Sequence, residues 1–554
     1  MAILISLYLL VLLCTGLTQS RPASLECTFP SLLDATQIDL QNGLSMRCFT
    51  SVDLVMAYMR RIHEVNSRLK TVLEINPDAL LIAQQLDEKR REGKTRGPMH
   101  GLPILVKDFI GTYDKMETAA GSYALVGSKV RADATVVANL RQSGAIILGK
   151  TSMSEWGNTR SFNSSNGWNA RGGQTYAAYY QGQDPSGSSS GSAVAADLGL
   201  AFAALGTETT GSIILPGEKS NVVGIKPTVG LTSRYMVVPV SERADTVGPI
   251  ARTVRDAAAV LQVIAGVDAH DNYTLASPFQ TTLPDYVAAC NLTGLQGKRI
   301  GIPRNVLDVL PVFFRSTADP IASSFEQAIS VIEDAGATIV EHTNFTGYES
   351  FLQSQIPQRV VAADMVSGLA AYASSLTSNP NNLRGLADIR DYTQRSSQED
   401  YPSRDTQAWD MALFAGLNNS APEFWPLYQQ AVYFGEEGGL LGALSRNQLD
   451  AVILPSILAA DIPGVIGSPL ITVPLGAFPA DTSVRYNARG DLVEAAPGIP
   501  LGLSFLGPKW SEESLISMAY TFEQKTLARN TLHRIVEPIT EMQDLFDWHG
   551  VIVR

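Results

Sequence analysis

A run of serines and glycines is the part of this sequence best suited to chemistry. Residues 184–198 read DPSGSSSGSAVAADL, and a second turn of small residues, GTETTGSIILPG, follows at 206–217. A serine hydroxyl becomes a nucleophile when a base removes its proton, and glycine lets backbone N–H groups approach a reacting oxygen. Gly/Ser-rich stretches are commonly linkers, but here an Ala-rich segment begins at once and a second small-residue turn follows. This arrangement predicts a functional site and not a linker.

The same stretch also matches a different serine motif. Residues 187–191 fit G-x-S-x-G, the nucleophile elbow of α/β-hydrolases, which would make Ser189 the nucleophile. His533 and His549 are then the candidates for its base. An elbow follows a core strand directly, whereas the preceding TYAAYYQGQDPSG holds no apolar run of strand length. This interpretation remains an alternative.

Short apolar runs alternate with helix-like stretches along the chain. Residues 50–91 place apolar residues at helical spacing among charged ones, which predicts amphipathic helices. Residues 193–206, AVAADLGLAFAALG, read as a buried helix. Further helices are predicted over 133–143, 253–265, 320–335 and 513–528, and strands over 101–110, 145–151, 298–303, 337–342, 449–455, 469–476 and 499–507. The alternation predicts an α/β fold with helices on both faces of a sheet.

No linker, repeat or low-complexity block divides the chain after its first residues. One large domain is therefore predicted over residues 21–554. Residues 345–445 differ from the rest of the chain in composition, because polar and turn-rich segments lie between predicted helical segments. We interpret that region as a cap that shapes the substrate site.

The first twenty residues predict export. MAILISLYLLVLLCTGLTQS has an apolar core too short to span a bilayer, followed by small and polar residues. A signal peptide over 1–20, cleaved after Ser20, gives a secreted protein with no stable membrane anchor; an uncleaved anchor is the alternative. Asn-x-Ser/Thr sequons, the glycosylation candidates, begin at Asn163, Asn272, Asn291, Asn344 and Asn418.

The cysteines leave their pairing open. Cys14 departs with the signal, and Cys27, Cys48 and Cys290 then allow one disulfide and one free thiol. Cys27 and Cys48 are the nearest pair in sequence, but the three possible pairings cannot be ranked from sequence alone.

Composition and charge exclude some classes of function. A net charge of −12 argues against a nucleic-acid partner, which calls for a basic face. His63 and Glu64 begin an HExxH motif, but Ser67 stands where its second histidine belongs. No Cys/His spacing indicates a metal site.

Five linked motifs together resemble the amidase signature family. They are GLPILVKD, SGSSSGSA, GTETTGSI, NVVGIKPTVGLTSR and DTVGPIARTVRDAA, in the family's order and spacing. The likeness extends from about residue 30 to about residue 530 and is closest to the peptide amidase branch and related secreted fungal-type amidases. It implies one domain with a mixed central β-sheet between layers of helices, and no metal or cofactor.

The resemblance also implies a Ser–cisSer–Lys triad. Lys107 matches the family's lysine, and Ser188 matches its middle serine, which follows a cis peptide bond at Gly187–Ser188. Ser212 matches the nucleophile, at the family's usual spacing from Ser188. Ser189 then has no direct chemical role.

This chemistry requires a lysine that is neutral at the pH of the reaction. No histidine lies in the motifs, and lysine acts as a base only when neutral, so its pKa of about 10.4 must fall through burial or nearby positive charge. The apolar LPILV before Lys107 could desolvate it, while an ion pair with Asp108 is the structural alternative. Consecutive strand residues point to opposite faces, which separates Lys107 from Asp108. Ser188 can relay a proton because a hydroxyl both accepts and donates.

The oxyanion hole is implied by resemblance as well. The backbone N–H groups of Thr209, Thr210, Gly211 and Ser212 would converge on the carbonyl oxygen. Thr210 departs from the Gly or Asp that relatives carry, and a β-branched residue avoids positive φ. Asp245 and Arg252, outside this turn, are interpreted as structural braces.

The predicted activity is hydrolysis of carboxamides, such as peptide C-terminal amides or small amides. It would proceed through an acyl-enzyme on Ser212, with a small-molecule or peptide amide as the partner. Two alternatives stay open: an α/β-hydrolase-type esterase that uses Ser189, and a non-catalytic secreted glycoprotein of the same fold.

Overall fold

The computed structural model describes Cys27 and residues 29–545. The predicted signal peptide 1–20 and His549 lie outside the described residues. The strands are β1 Val72–Ile75, β2 Pro103–Lys107, β3 Ile146–Thr151, β4 Trp168–Asn169, β5 Gly173–Gln174, β6 Ala203–Glu208, β7 Val223–Lys226, β8 Thr246–Ala251, β9 Arg299–Gly301, β10 Thr338–Val340, β11 Ala451–Pro455, β12 Leu470–Ala477, β13 Arg485–Tyr486, β14 Val493–Ala495 and β15 Pro500–Leu506.

Helices connect these strands. They are α1 Gln37–Ser45, α2 Ser51–Leu69, α3 Ala79–Arg91, α4 Thr135–Gln142, α5 Ser190–Asp197, α6 Ile214–Lys219, α7 Val254–Ile264, α8 Arg304–Leu307, α9 Leu310–Phe314, α10 Ala318–Asp334, α11 Tyr348–Gln353, α12 Ile356–Ser375, α13 Leu386–Arg395, α14 Gln407–Ala415, α15 Phe424–Gly435, α16 Leu440–Asn447, α17 Asp461–Ile466 and α18 Glu512–Thr526.

One large sheet organises the molecule. Eleven strands pair in the order β1-β3-β2-β6-β8-β7-β12-β15-β11-β9-β10. β3, β2 and β6 run parallel to one another, as do β11, β9 and β10, whereas the pairs between them are antiparallel. The sheet is therefore mixed and flanked by helices, which confirms the predicted fold class.

The sequence explains most of these elements locally. The strands β2, β3 and β11 are buried along their full length, as expected of the continuous apolar runs that identify them, and β6 is buried along its full length as well. α2 begins with a capping box in which Thr50 accepts from the amide of Asp53 and the Asp53 carboxylate accepts from Thr50. All the predicted strands are present.

The buried helix predicted over 193–206 is wrong in its second half. α5 ends at Asp197, the chain turns at Gly199, and Ala203–Glu208 forms β6 between β2 and β8. An apolar Ala-rich run has no polar face to set its period, so burial on both sides decides between strand and helix. β1, β7 and β8 are strands that the apolar pattern did not predict.

The N-terminal cysteines are paired. Cys27 and Cys48 form a disulfide with a Cα–Cα distance of 5.3 Å, and Cys290 is a buried free thiol. Burial raises the pKa of Cys290 to about 12, so this thiol stays protonated at neutral pH. This resolves the pairing that sequence alone left open.

Most of the sequon asparagines lie at the surface. The sequon residues Asn163, Asn272, Asn291 and Asn344 are exposed, and Asn418 is half-buried. None of the helices within Cys27 and 29–545 has the length and apolar character needed to cross a membrane. Residues 345–445, described throughout, form α11 to α15 and most of α16 with no strand among them.

Candidate active site

Two neighbouring parallel strands bring the lysine to the serine loops. Lys107 is the last residue of β2, and β6 runs beside it with Val106 opposite Leu205. The carboxyl ends of parallel strands meet at one edge of a sheet, so Lys107 lies next to Thr207 near the end of β6. The turn that carries Ser212 follows β6, and the Ser188 loop leads into α5.

Lys107 is buried among oxygen acceptors. Its Nζ donates to Ser188 Oγ at 2.7 Å, to Ser189 Oγ at 3.0 Å and to the carbonyl oxygen of Thr207 at 3.1 Å. The Nζ also lies 5.3 Å from the centre of the Phe109 ring. The three hydrogens of an ammonium group are thus all satisfied, and a neutral amine in the same place can accept from Ser188.

Burial makes this lysine a candidate base. Desolvation lowers the pKa of Lys107 to about 7, although the negative charges of Glu208 and Asp245 act in the opposite direction. No carboxylate forms an ion pair with Lys107 in the described part of the chain, and Asp108 instead accepts from the amide of Gly121 at 2.9 Å. The ion pair with Asp108 considered from the sequence is therefore absent.

The serine loop is held tightly against the rest of the site. The Gly187–Ser188 peptide bond is cis, the Ser188 carbonyl accepts from Ser154 N at 3.0 Å, and Ser188 is almost fully buried. Ser189 N donates to the Ser212 carbonyl at 3.0 Å, which joins the two small-residue turns. Any Cβ on Gly191 would lie 2.3 Å from the Thr71 carbonyl, so backbone packing requires glycine there.

The turn before Ser212 places its glycine where the backbone needs one. Gly211 has a φ of 77°, whereas Thr210 is absent from the residues with positive φ. The departure at Thr210 therefore causes no left-handed strain. Ser212 is half-buried and lines a cavity, and the Thr210 side chain is exposed.

Glu208 is a site residue that the sequence reasoning missed. Its Oε1 accepts from Gly211 N at 2.8 Å, and its Oε2 accepts from Ile213 N at 2.6 Å and Ile214 N at 3.0 Å. One buried carboxylate thus bridges the turn and the start of α6. Burial raises the pKa of Glu208, and these three amides and the charge of Lys226 act against that rise.

These contacts reduce the set of available oxyanion donors. The Gly211 amide already donates to Glu208, which corrects the expectation that it points at the substrate oxygen. The amides of Thr209, Thr210 and Ser212 have no hydrogen-bond partner within the part of the chain that the structure describes. Three of the four amides that the resemblance assigns to an oxyanion hole are therefore unpaired.

Asp245 and Arg252 form hydrogen bonds that hold segments next to the site. Asp245 Oδ1 accepts from Thr209 Oγ1 at 2.5 Å, and its Oδ2 accepts from the amides of Val240 and Ser241. Burial raises the pKa of Asp245 to about 6. Arg252 donates to the carbonyls of Ala196 at the end of α5, of Ala201 after it, and of Ala35. Neither side chain forms a hydrogen bond with Ser188, Ser189 or Ser212.

The cavity beside Ser212 has a volume of about 510 Å³, and the predicted cap region forms much of its wall. The cap supplies mainly apolar and aromatic side chains, which include Phe351, Val361, Met365, Ala408 and Tyr428. Val361 and Met365 lie one helical turn apart on α12. The 510 Å³ volume falls in the range of small-molecule and peptide-end sites.

Ser189, the nucleophile of the alternative interpretation, is placed differently. It is fully buried, and its Oγ contacts Lys107 and both the carbonyl and the amide of Thr207. No histidine is among these partners, and His533 is exposed in the C-terminal segment. Within the described residues no group of three or more His, Cys, Asp and Glu side chains is arranged to hold a metal ion.

Comparison with known proteins supports a single family. Residues 53–516 match the model of the Amidase family. A putative amidase of Arthroderma benhamiae is 53% identical over 94% of this chain and 90% of its own length. A probable amidase of Arabidopsis thaliana is 37% identical over 91% of this chain and 92% of its own length.

Solved structures give the same result. The native peptide amidase of Stenotrophomonas maltophilia superimposes with a TM-score of 0.79 at 37% identity, over 90% of this chain and 98% of that one. A structure of the peptide amidase PAM in complex with the competitive inhibitor chymostatin also gives a TM-score of 0.79 at 37% identity, over 90% of this chain and 99% of that one. The chain therefore belongs to the amidase family, the hydrolases that act on amide C–N bonds.

Proposed function

We propose that the chain hydrolyses the C-terminal amides of peptides or other small carboxamides through an acyl-enzyme on Ser212. The observation that carries this proposal is the contact of 2.7 Å between Lys107 Nζ and Ser188 Oγ in a buried site next to the cavity of Ser212. A lysine with a pKa of about 7 is partly neutral at neutral pH and can accept a proton.

The first half of the reaction forms the acyl-enzyme. Ser212 Oγ attacks the amide carbon while its proton passes to Ser188 Oγ and the proton of Ser188 passes to Lys107 Nζ. The free amides of Thr209, Thr210 and Ser212 bind the oxygen of the tetrahedral intermediate as negative charge develops on it. The C–N bond then breaks, and the leaving nitrogen takes the proton back through Ser188.

The second half releases the acid. A water molecule attacks the ester carbon of acylated Ser212, and the same Ser188–Lys107 pair takes up its proton. The C–Oγ bond breaks, and the proton returns to Ser212 Oγ. Both halves need Lys107 neutral at the start, so burial of this residue is the physical condition for the reaction.

The substrate class follows from the cavity and its wall. A largely apolar cavity of about 510 Å³ fits the acyl part of a short peptide or a small amide. The structural likeness to a peptide amidase supports peptide C-terminal amides over other carboxamides. Ser212, which lines this cavity, is better placed to meet such a substrate than the fully buried Ser189.

Secretion is part of the proposal. The Cys27–Cys48 disulfide fits an oxidising compartment, and four of the sequon asparagines are exposed. Expression with the native N-terminus in a eukaryotic host should yield a medium-borne protein that begins near residue 21. Its mass should fall on enzymatic removal of N-glycans; retention in the membrane fraction would support the uncleaved anchor.

Covalent labelling tests the nucleophile. The protein is treated with a fluorophosphonate probe, and the modified residue is located by peptide mass mapping. We expect the label on Ser212, with none in a Ser212→Ala variant. A label on Ser189 would favour the esterase alternative, and a well-folded protein that takes no label would favour the non-catalytic one.

A further inference from the structure

One charged side chain in the wall of the cavity has no counter-ion. The cavity of Ser212 is lined by one basic residue, Arg243, and one acidic residue, Asp461. The Arg243 guanidinium already has partners within the protein. It forms ion pairs with Asp364 and Glu242 and lies 5.0 Å from the centre of the Tyr428 ring. Asp461 has neither a hydrogen bond nor an ion pair from any described residue.

We propose that Asp461 selects substrates with a cationic group, in particular amides of lysine- or arginine-terminated peptides. This inference rests on the proposed function of Ser212 and deepens it by naming the substrate class. Asp461 is a specificity residue in this proposal and takes no part in bond breaking.

The position of Asp461 ties it to the reacting end of the cavity. It begins α17, and that helix packs against the turn before Ser212: a Cβ built on Gly464 would lie 2.9 Å from Thr210 Oγ1. Asp461 is exposed to solvent, and yet burial raises its pKa, a combination expected of a carboxylate inside an opening. The charge of Glu208 raises the same pKa further.

An unpaired carboxylate discriminates between neutral and cationic ligands. A substrate that fills the cavity removes water from Asp461, and the lost hydration is restored only by a group that pairs with the charge. A guanidinium or ammonium does so with charge-assisted hydrogen bonds. The ring of Phe351 in the same wall offers further favourable surface to a cation.

Two substrates of similar shape isolate the effect of the positive charge of the ligand. N-acetyl-argininamide and N-acetyl-citrullinamide have nearly the same shape, but only the first carries a positive charge. Turnover of both is measured at pH 8, where carboxylates are ionised and arginine remains charged. Asp461→Asn removes the negative charge and keeps the side-chain shape, and Asp481→Asn, at an exposed residue outside the cavity wall, controls for net charge.

We expect kcat/KM of the native protein to favour the arginine amide by about tenfold or more. The ratio should fall close to one in Asp461→Asn, with turnover of the citrulline amide changed less than about threefold, and stay unchanged in Asp481→Asn. A native ratio near one would overturn the inference. So would an equal loss for both substrates in Asp461→Asn, which indicates a structural role or a bond to neutral N–H groups.

A binding measurement separates this inference from the proposed function. Binding of the two amides to Ser212→Ala is measured by calorimetry, with and without Asp461→Asn. If neither amide is turned over but the arginine amide still binds more tightly through Asp461, the proposed function fails and the cation site stands. Equal binding of both amides overturns the cation site whatever the turnover.

Discussion

At the scale of single residues, the proposed chemistry depends on one buried amine. Lys107 has no carboxylate partner within the described residues, and its Nζ is surrounded by the oxygens of Ser188, Ser189 and Thr207. Burial without a direct ion pair lowers its pKa to about 7. Asp108, its neighbour in sequence, is turned away and paired with Arg171.

Activity should follow the neutral form of Lys107. Below a pH of about 7 the ammonium dominates and cannot accept the proton of Ser188, so kcat/KM should fall about tenfold per pH unit and level off above pH 8. Lys107→Met, which keeps the length and loses the base, should lower kcat by about 10²- to 10⁴-fold. Turnover and a thermal unfolding scan of the same samples separate loss of the base from loss of the fold. Normal turnover in the variant at neutral pH would contradict the triad.

Glu208 acts through the backbone of the turn it holds. Glu208→Gln keeps the shape but sets an NH₂ group against one of the amides of Gly211, Ile213 and Ile214, which leaves a buried donor unsatisfied. We expect a loss of about 1–3 kcal/mol in the free energy of unfolding. Because the oxyanion amides shift, kcat should fall by about tenfold or more with a smaller change in KM. An unchanged kcat would show that the turn keeps its shape without this carboxylate.

At the scale of elements, two parallel strands and one cap helix create the site. β2 and β6 carry Lys107 and the Ser212 turn to the same sheet edge, and α12 forms a wall of the cavity across from them. The cap is attached through Asp364 on α12, which accepts from Ser241 Oγ at 2.7 Å and pairs with Arg243. In the proposed reaction, substrate size is therefore limited by an element distant in sequence from Lys107, Ser188 and Ser212.

The role of α12 predicts a size-selective variant. Met365→Trp adds volume to the cavity wall and should lower kcat/KM for a hydrophobic peptide amide by about tenfold, because its acyl part no longer fits. Turnover of acetamide, which needs none of that space, should change little. Arg359→Trp adds bulk to the exposed face of the same helix and should leave both substrates unaffected. Equal effects of Met365→Trp on both substrates would contradict a binding role for this wall.

At the scale of the whole molecule, a disulfide within the N-terminal region and hydrogen bonds from that region to the C-terminal segment hold the fold together. The disulfide joins Cys27 to Cys48 just before α2, and Glu541 near the C-terminus accepts from Ser31 Oγ at 2.9 Å and Leu32 N at 2.7 Å. These links lie apart from the triad and the cavity. We expect them to stabilise the protein and to have no role in catalysis.

Removal of the disulfide should therefore separate stability from activity. For a loop of 21 residues the chain-entropy model predicts a loss of about 3 kcal/mol in the variant with Cys27→Ser and Cys48→Ser. The denaturant midpoint measures this loss, and kcat/KM at 25 °C should stay within about twofold of the native value. A large fall in kcat/KM with an unchanged midpoint would show that the N-terminal segment contributes to the site.

Much of this architecture was predictable from the sequence because its signals are local. Apolar runs identified seven strands of the central sheet, and small residues marked the two turns of the site. The resemblance to the amidase signature family, which the family match confirms, pointed to Lys107, Ser188 and Ser212. Gly191 and Gly211 are glycine for reasons of close packing and positive φ.

Tertiary structure alone decided which distant groups meet. The helix predicted at 193–206 became partly β6, because an Ala-rich run takes its form from the strands on either side. The Gly211 amide turned to Glu208, Cys27 paired with Cys48, and Asp461 entered the cavity without a partner. Periodicity reports only which faces of a segment are buried, whereas hydrogen bonds, ion pairs and cavities depend on segments hundreds of residues apart folding against each other.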